Sequence, residues 1–130
     1  MYDKTLIIEK LQRIEKALSF VLDHTADIKT PHDFALTQTG MYILDSVSIK
    51  LMAVGEELNK IDKKTKGRLL ANYPQIEWQK IIAFRNFIAH AYFEIDARHV
   101  FNAIDNNVKP LLQTIQKIID DLQQINSTTL

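Results

Sequence analysis

The sequence predicts an all-α fold, a four-helix up-and-down bundle with room for one extra short helix. Three observations predict it. Apolar residues recur in steps of three and four almost from end to end. No stretch shows sustained period-two alternation or a hairpin turn signal. The 130 residues include only three glycines and three prolines, too few to punctuate many short elements. Seams of this spacing pack helices nearly antiparallel. A chain of this length reads as one domain, residues 1–125, with a frayed tail at 126–130.

The first helix is predicted over about Asp3–His24, with Ile7, Leu11, Ile14, Leu18 and Val21 as its seam. A loop follows through Ala26–Thr30. Thr30, Pro31 and Asp33 resemble a helix start: a cap, a first-turn proline and a first-turn carboxylate. The second helix then extends to about Ile61, with a break expected near Gly40. Leu44, Val47, Leu51, Val54, Leu58 and Ile61 form its seam.

Residues 62–73 (DKKTKGRLLANY) are the least regular part of the interior. Pro74 fits the first turn of a third helix carrying Trp78. Asp96 is a plausible cap for the fourth, over about Ala97–Ile125, with Phe101, Ile104, Val108, Leu111, Ile115, Ile118, Leu122 and Ile125 as its seam. Pro110 lies inside that helix and is expected to kink it near Asn106–Asn107, because its ring removes one main-chain bond.

Composition excludes several classes of function. Sixteen basic and sixteen acidic residues cancel, so any nucleic-acid contact must come from a local patch. There is no cysteine, hence no disulfide, thiolate nucleophile or cysteine zinc site. The amphipathic opening MYDKTLIIEKLQRIEK lacks a signal-peptide core, and no apolar run approaches a membrane span. The expectation is a cytoplasmic protein without membrane contact. His24, His32 and His99 show no ligand spacing with carboxylates, so no metal or other cofactor is expected.

One stretch departs from ordinary bundle patterning. In IIAFRNFIAHAYF, residues 81–93, ten of thirteen side chains are apolar or aromatic, and the exceptions are Arg85, Asn86 and His90. A helix apolar nearly all round is usually buried on more than one side. A second copy is the natural cover, so a homodimer through this helix is expected. The stripe Trp78, Ile81, Arg85, Ile88, Tyr92 puts Arg85 where an apolar residue would pack. The register Ile81, Phe84, Ile88, Ala91 avoids it, and the sequence leaves both open. Asn86 and His90, four apart, share a face. An arginine near apolar surface needs a partner; Glu56, Glu57 and Asp96 are the candidates.

The run RNFIAHAY, Arg85 to Tyr92, resembles the R-x4-H-x-Y signature of HEPN-domain toxins of the HepT type. The likeness extends to the G-E-E-L end of the second helix, to Pro74, Ile76 and Trp78 before and in the third, and to the I-D start of the fourth. The resemblance implies an all-helical, dimeric, metal-independent endoribonuclease, the toxin half of a toxin–antitoxin pair. It implies a minimal nucleotidyltransferase as antitoxin partner, able to silence the toxin by attaching AMP to Tyr92. It makes Arg85 and His90 catalytic, with Asn86 in support.

The chemistry agrees with those roles. Cleaving RNA without a metal needs groups to take and to give a proton, and imidazole titrates near working pH. A planar guanidinium can hold two oxygens of a phosphorane. Lys60, Lys63, Lys64, Lys66 and Arg68 form a basic stretch able to grip RNA phosphates, although such runs are usually just solvated. The competing reading is a non-catalytic helical subunit that docks a nucleotidyltransferase.

Overall fold

The structure is a computed structural model. It describes residues 2–90 and 95–128, without the side chains of 89, 90 and 125–128. Among the described residues there is no strand. The elements are α1 (Lys4–His24), α2 (Asp33–Leu36), α3 (Gln38–Lys64), α4 (Arg68–Ala71), α5 (Trp78–His90), α6 (Ala97–Ala103), a π-helical turn (Ile104–Val108) and α7 (Lys109–Thr128). No helix among them is long and apolar enough to cross a membrane.

Each start has a visible cause. Asp3 caps α1 by accepting from the Leu6 amide at 3.2 Å. Thr37 caps α3 through the Gly40 amide, and Asp96 caps α6 through the Arg98 amide. Thr30 does not act as the expected cap. Instead the Asp33 carboxylate turns back and accepts from the amides of Lys29 and Thr30, at 2.7 and 3.0 Å. Those two bonds hold its pKa below the usual carboxylate value.

The predicted break in the second helix falls at Thr37, and Gly40 lies just inside α3. A β-carbon on Gly40 would sit 2.6 Å from the Asp33 carbonyl oxygen, so α2 can fold back this closely only over a glycine. That fold-back buries Phe34 completely, a core residue outside the predicted seams.

Pro74 is not in a helical first turn. It belongs to a turn closed by the Trp78 indole, whose Nε1 donates to the Tyr73 carbonyl at 2.9 Å, and α5 begins only at Trp78. Residues 65–71 supply the extra short helix, α4, behind a reversal in which Lys66 and Gly67 both have positive φ. The Gly67 amide donates to the Asp62 carbonyl at 2.8 Å, which ends α3.

Pro110 interrupts the last long helix where the sequence places the kink. It has no N–H for the Asn106 carbonyl at α-helical spacing. The chain answers with one wider turn, Ile104–Val108.

The core is built mainly from the predicted seams, although Leu44, Phe101 and Ile104 are only half-buried and the Ile125 side chain lies outside the described residues. Ile7, Leu11, Ile14, Leu18 and Val21 of α1 meet Val47, Val54, Leu58 and Ile61 of α3 and Leu111, Ile115 and Ile118 of α7, all essentially inaccessible. α3 is the central helix, packing on α1, α2 and α5, while α1 also packs on α7. The pairs Lys10–Glu57 and Phe20–Lys50 make α1 and α3 antiparallel. Gly55 against Arg85 and Asp62 against Gln79 do the same for α3 and α5. Each buried aliphatic side chain contributes about 1.5–3 kcal/mol, whereas an exposed ion pair contributes about 0–1. The seams, not the surface charges, hold the bundle.

Candidate active site at the α3–α5 crossing

Arg85 lies in the middle of the α5 face that packs on α3. Trp78, Ile82 and Ile88 are buried on that face and Ile81 is half-buried. As far as Ile88, the first of the two sequence registers therefore describes α5, with Ile82 added; its last member, Tyr92, lies outside the described residues. Arg85 can sit there because α3 offers a glycine. A β-carbon on Gly55 would meet the Arg85 β-carbon at 3.0 Å and the carbonyl oxygens of Ile82 and Ile81 at 3.3 and 3.4 Å. The arginine stem crosses that gap and its head emerges beyond it, leaving the side chain 22% exposed.

Of the candidate partners, Glu56 holds it: Nη1 donates to the Glu56 carboxylate at 3.2 Å. Glu57 points to α1 instead, and Asp96 caps α6 and pairs with Arg98. The Arg85 Nε is buried and has no hydrogen-bond partner among the described residues. Half of the guanidinium fork is thus anchored at a half-exposed carboxylate, and its remaining donors have no acceptor among the described residues. A pair this exposed stabilises the fold little. What it fixes is the direction of the fork.

Asn86 follows Arg85 and is exposed. α5 continues to His90, which lies one turn beyond Asn86 along the helix. The His90 side chain and Tyr92 fall outside the described residues, so their predicted roles have no geometry here.

Part of the apolar surface of α5 is used within the chain. Phe84 and Phe87 are half-buried and stack with His99 of α6, at ring-centroid distances of 6.2 and 4.3 Å. Among the described residues, the large apolar side chains left exposed lie elsewhere: Leu36 on α2, and Met41, Tyr42 and Ile49 on α3. Tyr42, Ser46, Ile49, Ala53, Glu56, Lys60 and Lys63 are all exposed and follow steps of four and three. They form one ridge along α3, apolar in its first half and charged in its second, with Glu56 and Arg85 at the junction.

The predicted basic stretch is divided by the turn after α3. Lys60 pairs with Glu57, Lys63 and Lys64 are exposed in the last turn of α3, and Lys66 and Arg68 lie in and beyond the reversal. A cavity of about 470 Å³ lies between α3, α5 and the π turn, against Val54, Phe84 and Asn107. Val54 and Glu56 flank Gly55 on opposite sides of the helix, so this cavity lies across the crossing from the Arg85–Glu56 pair. Among the described residues no group of three or more His, Asp or Glu could hold a metal ion. His24 is engaged with Phe20, its Nδ1 lying 2.9 Å from that carbonyl.

The role of Gly55 gives an expected outcome. In Gly55→Leu the added side chain has no room between the two helices, and stability should fall by about 1–3 kcal/mol, the range for an overpacked contact. Thermal unfolding measures this, and an unchanged melting temperature would contradict the close crossing.

The family model for ribonuclease HepT-like proteins matches residues 7–118, nearly the whole bundle and the Arg85–His90 segment with it. The chain belongs to the HepT-like ribonuclease family. A curated relative of this HepT-like chain, from Methanocaldococcus jannaschii, is named "Gamma-glutamylcyclotransferase and putative RNase". The two are 22% identical over 114 residues, which cover 88% of this chain and 48% of the relative. The chain thus spans about half the length of that protein. No solved structure matches it.

Proposed function

We propose that this HepT-like chain is a metal-independent endoribonuclease, the toxin half of a toxin–antitoxin pair. The single observation that carries the reading is the posture of Arg85: its stem crosses a glycine, and its guanidinium is tethered at one end by Glu56 with no other partner among the described residues. Family membership and the RNase in the archaeal relative's name support the activity.

The reaction is an internal transesterification. The ribose 2′-oxygen attacks the adjacent phosphorus, a base takes the 2′-hydroxyl proton, and the P–O5′ bond breaks as an acid protonates the leaving oxygen. The products are a 2′,3′-cyclic phosphate and a 5′-hydroxyl. His90 serves as the proton-transfer group and Arg85 stabilises the charge that grows on the non-bridging oxygens. Asn86 orients His90 or donates to phosphate.

With one His90 per chain, a homodimer supplies both proton-transfer groups, one from each subunit. The exposed apolar half of the α3 ridge, beside α5, is suited to that second copy. Since the 2′-hydroxyl is the nucleophile, a single-stranded RNA should be cut while the same sequence made of 2′-O-methyl nucleotides survives. Equal cleavage of both would overturn this chemistry.

A minimal nucleotidyltransferase is the proposed antitoxin, neutralising the toxin by placing AMP on Tyr92. The added anion would block RNA and compete for Arg85. Mass spectrometry of the co-expressed pair should find one AMP on the chain and none on Tyr92→Phe; AMP carried equally by both would place the modification elsewhere.

A further inference from the structure

On the α1–α3 seam, three cations converge on one carboxylate. Glu57 is 19% exposed and lies 3.5 Å from the Lys10 ammonium, 3.6 Å from that of Lys60 and 3.9 Å from the Arg13 guanidinium. The Lys10 side chain is only 10% exposed, set between the α1 core residues Ile7, Leu11 and Ile14. Arg13 and Lys60 are 63% and 54% exposed. None of the three cations makes another ion pair among the described residues. The cluster has a formal excess of two positive charges in a chain whose net charge is zero.

Fold stability does not explain this grouping. Glu57 with Lys10 alone would satisfy the buried ammonium, and each further cation adds like-charge repulsion. The long separations, 3.5–3.9 Å, leave most N–H donors of the group without a close acceptor. Such an arrangement is preorganised for anions: one carboxylate gathers the cations and does not neutralise them. Its position suggests which anions. Lys60 stands on the exposed ridge of α3 four residues after Glu56, the residue that holds Arg85. One helical turn, about 6 Å along the axis, separates them, comparable to the spacing of neighbouring phosphates on one strand.

We propose that Lys10, Arg13 and Lys60, gathered on Glu57, bind the phosphodiester backbone of the RNA next to the bond that Arg85 engages. This rests on the ribonuclease reading above. It keeps Lys60 from the basic stretch that the sequence alone singles out, and replaces Lys63, Lys64, Lys66 and Arg68 with Lys10 and Arg13 on the face shared by α1 and α3.

The test is binding of a fluorescein-labelled 2′-O-methyl RNA, which presents phosphates but no 2′-nucleophile, followed by anisotropy across a salt series. The double variant Arg13→Ala/Lys60→Ala removes two exposed cations and leaves the Lys10–Glu57 pair, so it should fold. Losing two phosphate contacts should lower the slope of log affinity against log salt by about 1.4, at about 0.7 per contact on a single strand. Lys117→Ala, which removes a cation paired with Asp121 on α7, should leave the slope unchanged. An unaltered slope in the double variant, with wild-type protein that does cut RNA, would overturn the proposal and leave the ribonuclease reading standing. Wild-type protein that neither binds nor cuts RNA would overturn both. A double variant that loses the nucleotidyltransferase and keeps its RNA affinity would also overturn it, assigning the cluster to a protein partner.

Discussion

Arg85→Ala should lower the rate of RNA cleavage by about 100- to 1,000-fold, the range for removing one preorganised donor from a developing oxyanion. The fold should survive, because the guanidinium's only ion pair among the described residues is with a half-exposed carboxylate and the residues around its stem are apolar. Alanine leaves a gap over Gly55 and relieves a buried Nε of its missing partner. Circular dichroism and thermal unfolding should therefore match wild type closely while cleavage, followed on a labelled oligonucleotide, is nearly lost. Arg85→Lys should rescue only part of the rate, since an ammonium cannot hold two oxygens with a planar fork. Full activity in Arg85→Ala would remove the residue from the reaction and leave Glu56 holding a structural arginine.

His90→Ala should reduce cleavage by about 100- to 10,000-fold, the span attributed to positioned acid–base groups, with dimerisation kept. The informative form of the experiment mixes His90→Ala chains with wild-type chains. If each site draws on both subunits, a dimer of one His90→Ala chain and one wild-type chain is impaired, and the activity of mixtures falls faster than the wild-type fraction. A strictly proportional decline would mean that each chain acts alone. Dimerisation is read independently by sedimentation. A His90→Ala chain that cleaves normally would remove His90 from the reaction, whereas wild-type protein that cuts no RNA would favour the alternative, a helical subunit that docks a nucleotidyltransferase without chemistry of its own.

What the sequence made legible follows from which forces act locally. The α1 seam is buried residue for residue, because a 3-4 repeat and burial express the same helical geometry. The interruption before Pro110 was legible because a missing N–H is a property of the residue itself. Thr30 and Pro74 were misplaced because other short-range side-chain-to-backbone bonds decided those turns: Asp33 reached back to two amides three and four residues earlier, and the Trp78 indole closed on the Tyr73 carbonyl five residues earlier. Phe34 escaped the seams because α2 is too short to show a period.

At the site, the patterning singled out Arg85 and the resemblance gave it a role, while the sequence named Glu56 only as one of three possible partners. The part played by Gly55 depends on two helices crossing, so no local pattern reports it. Lys10 and Arg13 were equally hidden. In the sequence they read as ordinary charges on an amphipathic helix, and only the antiparallel pairing of α1 with α3 brings them to Glu57.

The central claim is that the Arg85–His90 segment cleaves RNA through its own 2′-hydroxyl without a metal ion. The most direct measurement is analysis of the termini released from a single-stranded RNA by the purified protein in excess chelator. The account predicts undiminished cleavage that yields 2′,3′-cyclic phosphate and 5′-hydroxyl ends. Cleavage that stops in chelator, or that leaves 3′-hydroxyl and 5′-phosphate ends, would contradict it.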